Sequence, residues 1–417
     1  MKLLMSLDAG TSKTVALVGE MDSYGDIHII GIGETPSKGI DRGYITRLDL
    51  AVQTVTRSVK EAQEMAGTRV DNIIVGVASA GIKSQNEKDT ISVAPQPVEI
   101  DESHIERLIE RATTRAREEG YEIIAAIPRK FILDDQEGVI DPVGLLGSRL
   151  SAEVHVTKVH VSSLRNMEKV LHTAGLKIAG RYLSVLASAE AVLSQEEKEE
   201  GVLLLDMGAG LTSFILFVEG SPLLTGSVPM GGNSITKDIA HFMKITTEQA
   251  EKIKLEHGFA LADLVSESDR IKIKPRGEEK ETTVSKRSLS EVIQIRLEEI
   301  MDSVLQSVEY QGISLSSLHA GVVVTGGGAK LAGMREFLER YTDLPVRVGY
   351  PTGVIGLKER VQDPSYATAV GLIKMGFQDI ERVKRSTSSP NVNKLQDSKK
   401  GFTSLLERIK SFFKEVL

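Results

Sequence analysis

Two segments about 200 residues apart are built alike, and this repeat limits the possible folds more than any other feature of the chain. Residues 3–7 form a short apolar run that ends in Asp8-Ala-Gly-Thr-Ser-Lys13, and a second run, 15–19, follows. Residues 202–205 end in Asp206-Met-Gly-Ala-Gly-Leu-Thr-Ser213, with Phe214-Ile-Leu216 behind them. Each reads as a strand, a turn of glycine and hydroxyl residues, and a returning strand, with an Asp at the strand end. One Asp-x-Gly turn is an ordinary hairpin. Two matched ones predict a duplicated α/β fold whose halves face each other across a cleft.

A third element gives the pair a chemistry. Val322-Val-Val-Thr325 runs into Gly326, Gly327, Gly328 and Ala329, a stretch of bare backbone. It is either a flexible turn or a surface on which a flat ligand lies. Turns rich in Gly, Ser and Thr aim backbone N–H groups at phosphate oxygens, because no Cβ blocks the approach. Thr11, Ser12 and Lys13 add donors and a positive charge. Asp8 and Asp206 stand where a hydrated Mg²⁺ would be held through its waters. Glu251 and Lys254, three apart in a helical stretch, share one face. They grip ribose hydroxyls or form a solvated ion pair.

The remaining pattern alternates strands and helices: a helix over 48–66, a strand over 72–77, and a helix over 102–119 opened by Asp101. Strands follow near 123–127 and 152–161, interrupted by the Pro/Gly-rich stretch 138–147, and a helix covers 163–174. Residues 244–310 read as helical and charged, and 385–400, almost without apolar residues, as a disordered linker. A length of 417 residues, 41% of them apolar, suits two or three domains. With no cysteine, disulfide scaffolds, thiol nucleophiles and Cys-ligated zinc are excluded. His155 and His160, five apart in a strand, point to opposite faces and make no ligand pattern. Asp8 cuts the opening apolar run far short of a signal peptide, and no window of 18–20 apolar residues exists, so the body is expected to be soluble and intracellular.

Charge is split. From Arg382 onward there are nine Lys/Arg and three Asp/Glu, so this tail carries +6; taking that from the total of −7 leaves −13 on the body. An acidic body argues against nucleic acid. On a helical wheel Phe402, Leu405, Leu406, Ile409, Phe412, Phe413, Val416 and Leu417 fall within an arc of roughly 140°. All polar residues of 403–415 take the other side. A helix of this length, ~24 Å, is too short to span a bilayer and is expected to lie in its interface, facing anionic lipid. The plain alternative is a helix packed on the body or a partner, which the polar linker disfavours.

In order and spacing, the two turns and Thr325-Gly-Gly-Gly-Ala329 resemble the actin and sugar-kinase ATPase superfamily. Val75-Gly-Val-Ala-Ser-Ala-Gly-Ile-Lys-Ser84 narrows this, as does Ile127-Pro-Arg-Lys-Phe-Ile-Leu-Asp-Asp-Gln-Glu-Gly-Val-Ile-Asp-Pro-Val-Gly-Leu-Leu-Gly-Ser-Arg-Leu150. These stretches, and the chain over essentially its whole length, resemble the bacterial cell-division family FtsA. The resemblance implies an α/β fold of actin-like (ribonuclease H-like) duplicated domains around a nucleotide cleft, with an inserted α+β subdomain and a C-terminal amphipathic helix. The first half would comprise 1–79 and 162–200, with the insertion at 80–161. The second half would comprise 201–243, a helical subdomain at 244–310, and 311–384, the last of these also returning a closing helix to the first half. Linker 385–400 and membrane helix 401–417 would complete the chain.

The same resemblance implies ATP and Mg²⁺ as ligands. Its nucleotide contacts would be Gly10, Thr11, Ser12, Lys13, Gly208, Ala209, Gly210, Gly231, Gly232, Asn233, Glu251, Lys254, Gly326, Gly327, Gly328 and Ala329. It implies self-assembly into filaments, recruitment of other division proteins, and a peripheral place at the cytoplasmic face of the membrane at the division site. It also implies that the C-terminal peptide of the tubulin-like protein FtsZ docks on 244–310. Arg296 falls where the family has an arginine there; otherwise it is a surface charge. At the second turn, where many superfamily members have Gly, Thr and Asp, this chain has Ala209, Leu211 and Ser213. Lost groups beside the γ-phosphate predict binding with weak or absent hydrolysis, and Glu190 is the candidate water activator. The rival expectations are a small-molecule kinase of the same superfamily and a pilus-assembly adaptor of the PilM type.

Overall fold

The computed structural model describes residues 2–387. Its frame is a pair of sheets with the same internal logic. The first runs, edge to edge, Lys177–Leu183, Asn72–Val77, Lys2–Ala9, Lys13–Met21, Ile27–Pro36, Ile355–Gly356. The second runs Ser221–Val228, Thr212–Val218, Val202–Met207, Gly321–Thr325, Val346–Val348. In each, the strand bearing the Asp pairs antiparallel with its hairpin partner and parallel with a neighbour on its other side. The register repeats as well: Asp8 faces Val15 and Asp206 faces Ser213. Central strands are continuous apolar runs because both faces are covered; Val202, Leu203, Leu204 and Leu205 are all fully buried.

Helices Ser184–Val192 and Ala367–Thr387 lie between the two halves. Their Val185, Ala187, Leu372 and Ile373 share one core with Leu4 and Leu17 of the first sheet and Val202, Leu204 and Phe217 of the second. The outer faces have their own cores. Helices Leu48–Ala66 and Val161–Thr173 cover the first sheet, and Gly232–Phe242, Thr247–His257, Lys286–Tyr310 and Met334–Thr342 cover the second. The region 244–310, read as helical, also holds a hairpin, Arg270–Ile273 with Thr282–Ser285. Ile271 and Ile273 alternate inward there, a two-residue period too short to stand out among charged neighbours.

Between the first and second halves sits an inserted α+β unit. Its antiparallel sheet runs Gln136–Val139, Tyr121–Leu133, Arg149–His160, Lys83–Ser92, and helix Glu102–Arg115 packs on it. Asp101 caps that helix, accepting from the Ser103 and His104 N–H groups. Strand Lys83–Ser92 escaped the sequence reading because its polar side chains bond outward to Ser221–Val228, the edge strand of the second sheet. Ser84 Oγ donates to Thr225 O (2.7 Å) and accepts from Thr225 N (3.0 Å), and Asn86 Nδ2 donates to Leu223 O (2.9 Å).

His155 is buried at the centre of this seam. Since the Asn86 amide nitrogen is committed to Leu223 O, its Oδ1 must accept from His155 Nδ1–H (2.7 Å), and Nε2 then accepts from the Thr225 hydroxyl (2.9 Å). The neutral ring is the form that burial favours here. Burial, then Arg129, pushes its pKa from 6.5 down to about 3. Between those values the unfolded chain binds a proton that the folded chain does not, so stability falls as pH drops from about 6.5 toward 3. His155→Gln is expected to flatten that part of the urea-denaturation profile, with the gap between variant and unaltered chain closing in acid; parallel profiles would refute it.

The final helix continues to Thr387, three residues into the expected linker 385–400. The rest of the linker and the amphipathic stretch 401–417 lie outside the described residues. Among the described residues no helix is long and apolar enough to cross a membrane.

Candidate functional site

The two turns close with the same bond: Gly10 N–H donates to Lys13 O (3.1 Å), and Gly208 N–H to Leu211 O (2.8 Å). They also touch, since a Cβ on Gly210 would lie 2.5 Å from Thr11 Oγ1. Asp8 and Asp206 therefore stand together at the meeting point of the halves. Burial, then the neighbouring Asp206 carboxylate, pushes Asp8 up to about 7, while Lys13 acts in the opposite direction. Burial also raises Asp206, opposed by hydrogen bonds from Ser188 Oγ (2.6 Å) and Thr368 Oγ1 (3.2 Å). Two desolvated carboxylates side by side favour a proton or a divalent cation between them. Among the described residues no three His, Cys, Asp or Glu side chains converge on one point. A pair is the set that suits Mg²⁺ when it keeps its waters.

Gly326 presses directly on Asp206. It has φ +81°, and a Cβ there would lie 2.5 Å from Asp206 Oδ1 and 2.7 Å from Met207 O. Gly328 packs against Met207 in the same way, whereas Gly327 faces open space, leaving bare backbone on the cleft side. Ala329 is buried. Gly231 precedes helix Gly232–Phe242, with a Cβ position 2.4 Å from Gly208 O. The N–H groups of Gly232 and Asn233 donate to Gly208 O (3.0 Å) and Ala209 O (2.8 Å), so they shape the second turn rather than stand open to a phosphate. Lys254 Nζ reaches the same spot, donating to Gly232 O (3.1 Å), Thr236 Oγ1 (2.9 Å) and Glu251 Oε2 (2.7 Å). Lys254 is thus built into the wall, its side chain only 11% exposed, while its partner Glu251 stands at the edge, 41% exposed.

Three expected residues are placed differently from their sequence reading. Lys13 Nζ donates to Glu34 (3.0 Å) and Ser365 Oγ (3.0 Å) and lies 3.9 Å above the Tyr366 ring, which ties the first hairpin to the 363–366 turn. Glu190 is corrected as a water activator. Its carboxylate takes Lys198 (3.1 Å) and Gln378 (3.4 Å), with Lys374 Nζ at 3.9 Å. Two residues along a helix is about 200° of rotation, and it is Ser188, not Glu190, that faces Asp206. Arg296 is neither a loose surface charge nor an open recognition group. It binds Asp238 bidentately (2.6 and 3.0 Å) and contacts Met230 Sδ (3.3 Å), joining helix Lys286–Tyr310 to Gly232–Phe242.

The sequence reading missed Ser188 and Thr368. Ser188 lies two residues before Glu190, but its direction depends on the helix crossing. A second concavity lies away from the cleft, a cavity of about 540 Å³ beside helix Lys286–Tyr310. Ile295, Phe337 and Tyr341 give it apolar walls, and Arg287, Glu291 and Arg340 a charged rim. Ile295 is 66% exposed.

Comparison with known proteins agrees with this architecture. The family model described as Cell division protein FtsA matches residues 203–371, and that described as SHS2 domain inserted in FTSA matches 79–158. Cell division protein FtsA of Pseudomonas aeruginosa is 36% identical over 377 residues, covering 90% of each chain. Among solved structures, the PilM–PilN type IV pilus biogenesis complex superposes with a TM-score of 0.64 at 17% identity, covering 89% of this chain and 98% of that one. MreB 5 of Spiroplasma citri bound to AMPPNP gives 0.57 at 13% identity, covering 93% and 99%. At these identities the likeness to the solved structures is one of fold, and that fold is actin-like.

Proposed function

The chain belongs to the FtsA family of cell division proteins, and from that premise we propose that it binds ATP with Mg²⁺, assembles with further copies of itself, and holds FtsZ at the cytoplasmic face of the membrane at the division site. Other division proteins would join there. The observation that carries the nucleotide part is the cradle around Asp206. Gly210, Gly231 and Gly326 each occupy a position where a Cβ would strike the facing backbone or side chain, and Gly327 keeps its backbone bare. The first three let the turns pack closely around Asp206, and the bare backbone at Gly327 is where a phosphate would approach. MreB 5 of Spiroplasma citri, which shares the fold, has been solved with AMPPNP and with ADP, which supports the same ligand class here.

Mg²⁺ would neutralise developing charge on the phosphates when bound. Asp8 and Asp206 are the residues to hold it, with Ser188 and Thr368 fixing Asp206. The candidate water activator is engaged elsewhere: Glu190 is held by Lys198 and Gln378, and Leu211 and Ser213 occupy the positions where a hydroxyl and an acid would help. The chain is thus read as a nucleotide-dependent assembler rather than a rapid ATPase.

The FtsZ C-terminal peptide is assigned to the concavity beside helix Lys286–Tyr310, whose apolar walls and mixed-charge rim suit a short amphipathic peptide. Calorimetry with each ligand separates the two sites. Asp206→Ala is expected to lower ATP affinity at least tenfold, roughly the worth of one strong charge-assisted contact, while keeping the peptide. Ile295→Glu is expected to do the reverse. ATP bound equally by Asp206→Ala would mean the cleft is misassigned, and an unaffected peptide in Ile295→Glu would move FtsZ elsewhere.

A further inference from the structure

Arg42 sits where three parts of the molecule meet. It lies at the tip of the two-residue hairpin between Ile40–Asp41 and Tyr44–Ile45, where its φ of +50° and the +77° of Gly43 are what so tight a turn requires. Three contacts fix Arg42 in place at this tip. Its N–H donates to Thr11 Oγ1 (2.9 Å) in the first turn. Its carbonyl accepts from Ala80 N–H (3.3 Å), at the root of the inserted unit. Its Cγ lies 3.0 Å from the position a Cβ on Gly210 would take in the second turn. One residue therefore touches both phosphate turns and the root of the insertion.

The guanidinium extends beyond these contacts. Its ion pair is with Asp41, the adjacent residue (3.2 Å), and both side chains are nearly half exposed. An exposed pair of that sort contributes little and is readily exchanged for a better anion. A phosphate is such an anion, because the planar guanidinium binds it through two parallel N–H bonds. The root it is tied to is also anchored from the other half: Ser227 Oγ donates to Ser79 O (2.7 Å). Ala80 is thus held to the first half by Arg42 while its neighbour Ser79 is held to the second.

We propose that Arg42 is the residue that tells ATP from ADP: its guanidinium takes the terminal phosphate at the mouth between the two turns, and its main chain passes the difference to the inserted unit through Ala80. This rests on the nucleotide reading above and adds to it a specificity residue and a route outward. Thr11 takes part by fixing the Arg42 backbone, so the two phosphate turns and the insertion respond as one.

The test uses the full chain with Mg²⁺, measuring ATP and ADP affinities by calorimetry and amide hydrogen exchange at Ala80. In the unaltered chain ATP is expected to slow exchange at Ala80 more than ADP does. Arg42→Ala is expected to lower the ratio of ATP to ADP affinity about tenfold, on the order of one charge-assisted hydrogen bond, and to abolish the nucleotide-dependent difference at Ala80. Arg42→Lys, which keeps the charge but not the fork, is expected to restore part of the ratio. An Arg42→Ala chain with an unchanged ratio would overturn the role of Arg42 alone, and so would one with an unchanged response at Ala80. An unaltered chain that binds neither nucleotide would overturn the cleft reading, and the role of Arg42 with it.

Discussion

Gly371→Ala is expected to destabilise the chain by about 3 kcal/mol or more, although it adds a single methyl group. Gly371 lies on helix Ala367–Thr387 where it crosses helix Ser184–Val192, and its Cβ would fall 1.7 Å from Ala187 O and 2.4 Å from Ala187 C. Neither helix has room to yield. The crossing sits in the core shared by both sheets, so moving one helix breaks contacts with Val202 and Leu204 on one side and Leu4 and Leu17 on the other. Small domains carry about 5–15 kcal/mol in total, which makes this loss large. It should also be felt in the cleft. Thr368 and Ser188, the two hydroxyls on Asp206, ride on the two helices that would be forced apart, and they are bonded to each other at 2.9 Å. Urea denaturation should show the lower midpoint, and calorimetry a weaker affinity for ATP. Gly25→Ala is the matched control: with φ +94° and nothing within 4 Å of its Cβ, it meets backbone strain without collision, at about 1 kcal/mol. If Gly371→Ala proved as stable as Gly25→Ala, the crossing would not be the rigid centre of the fold.

What was legible in the sequence was local. Helix Leu48–Ala66 and strand Asn72–Val77 have the limits their periodicity predicts, and Asp101 caps its helix. The two hairpins were readable because strand, Asp and turn are contiguous, and their equivalence extends to the single bonds Gly10–Lys13 and Gly208–Leu211. What was not legible depends on distant partners. Ser188 and Thr368 are 180 residues apart in sequence and meet only because two helices cross. Lys83–Ser92 is polar because it docks sideways on another sheet edge, so its pattern resembles a loop until that edge is in place. Glu190 could be named but not oriented, since a helix face is set by what it packs on. Arg42 carried no signal at all; its backbone conformation and its three contacts exist only in the folded chain.

Removing 401–417 is expected to abolish membrane attachment. A chain ending at Lys400 should stay in the supernatant when mixed with vesicles containing anionic phospholipid, under conditions where the full chain pellets. The segment lies outside the described residues, so the prediction rests on its sequence. Eight apolar side chains on one face, each gaining ~1 kcal/mol from partial burial, give a gross ~8 kcal/mol. Ordering a free segment into a helix and immobilising it offset much of this. Arg408, Lys410 and Lys414 add up to about 1 kcal/mol each near anionic headgroups, within reach of the interface by extending their stems. The sum describes reversible binding rather than insertion. Two dependences follow. Raising salt should weaken pelleting, because the basic share is screened, but should not eliminate it, because the apolar share is not. Phe413→Asp, which puts a charge at the centre of the apolar arc, should release most of the protein at any salt concentration. A helix that packs on the body instead would give another pattern: equal pelleting of full and shortened chains, and a loss of stability in the shortened one. The closing helix runs to Thr387 and takes Arg382, Lys384 and Arg385 with it, so residues 388–417 keep six Lys/Arg against three Asp/Glu, a charge of +3, and the rest of the chain carries −10. That acidic body would be repelled by the lipid that the basic segment is expected to seek. A polar linker between them would let both tendencies hold at once, with the cleft kept off the membrane and the expected helix on it.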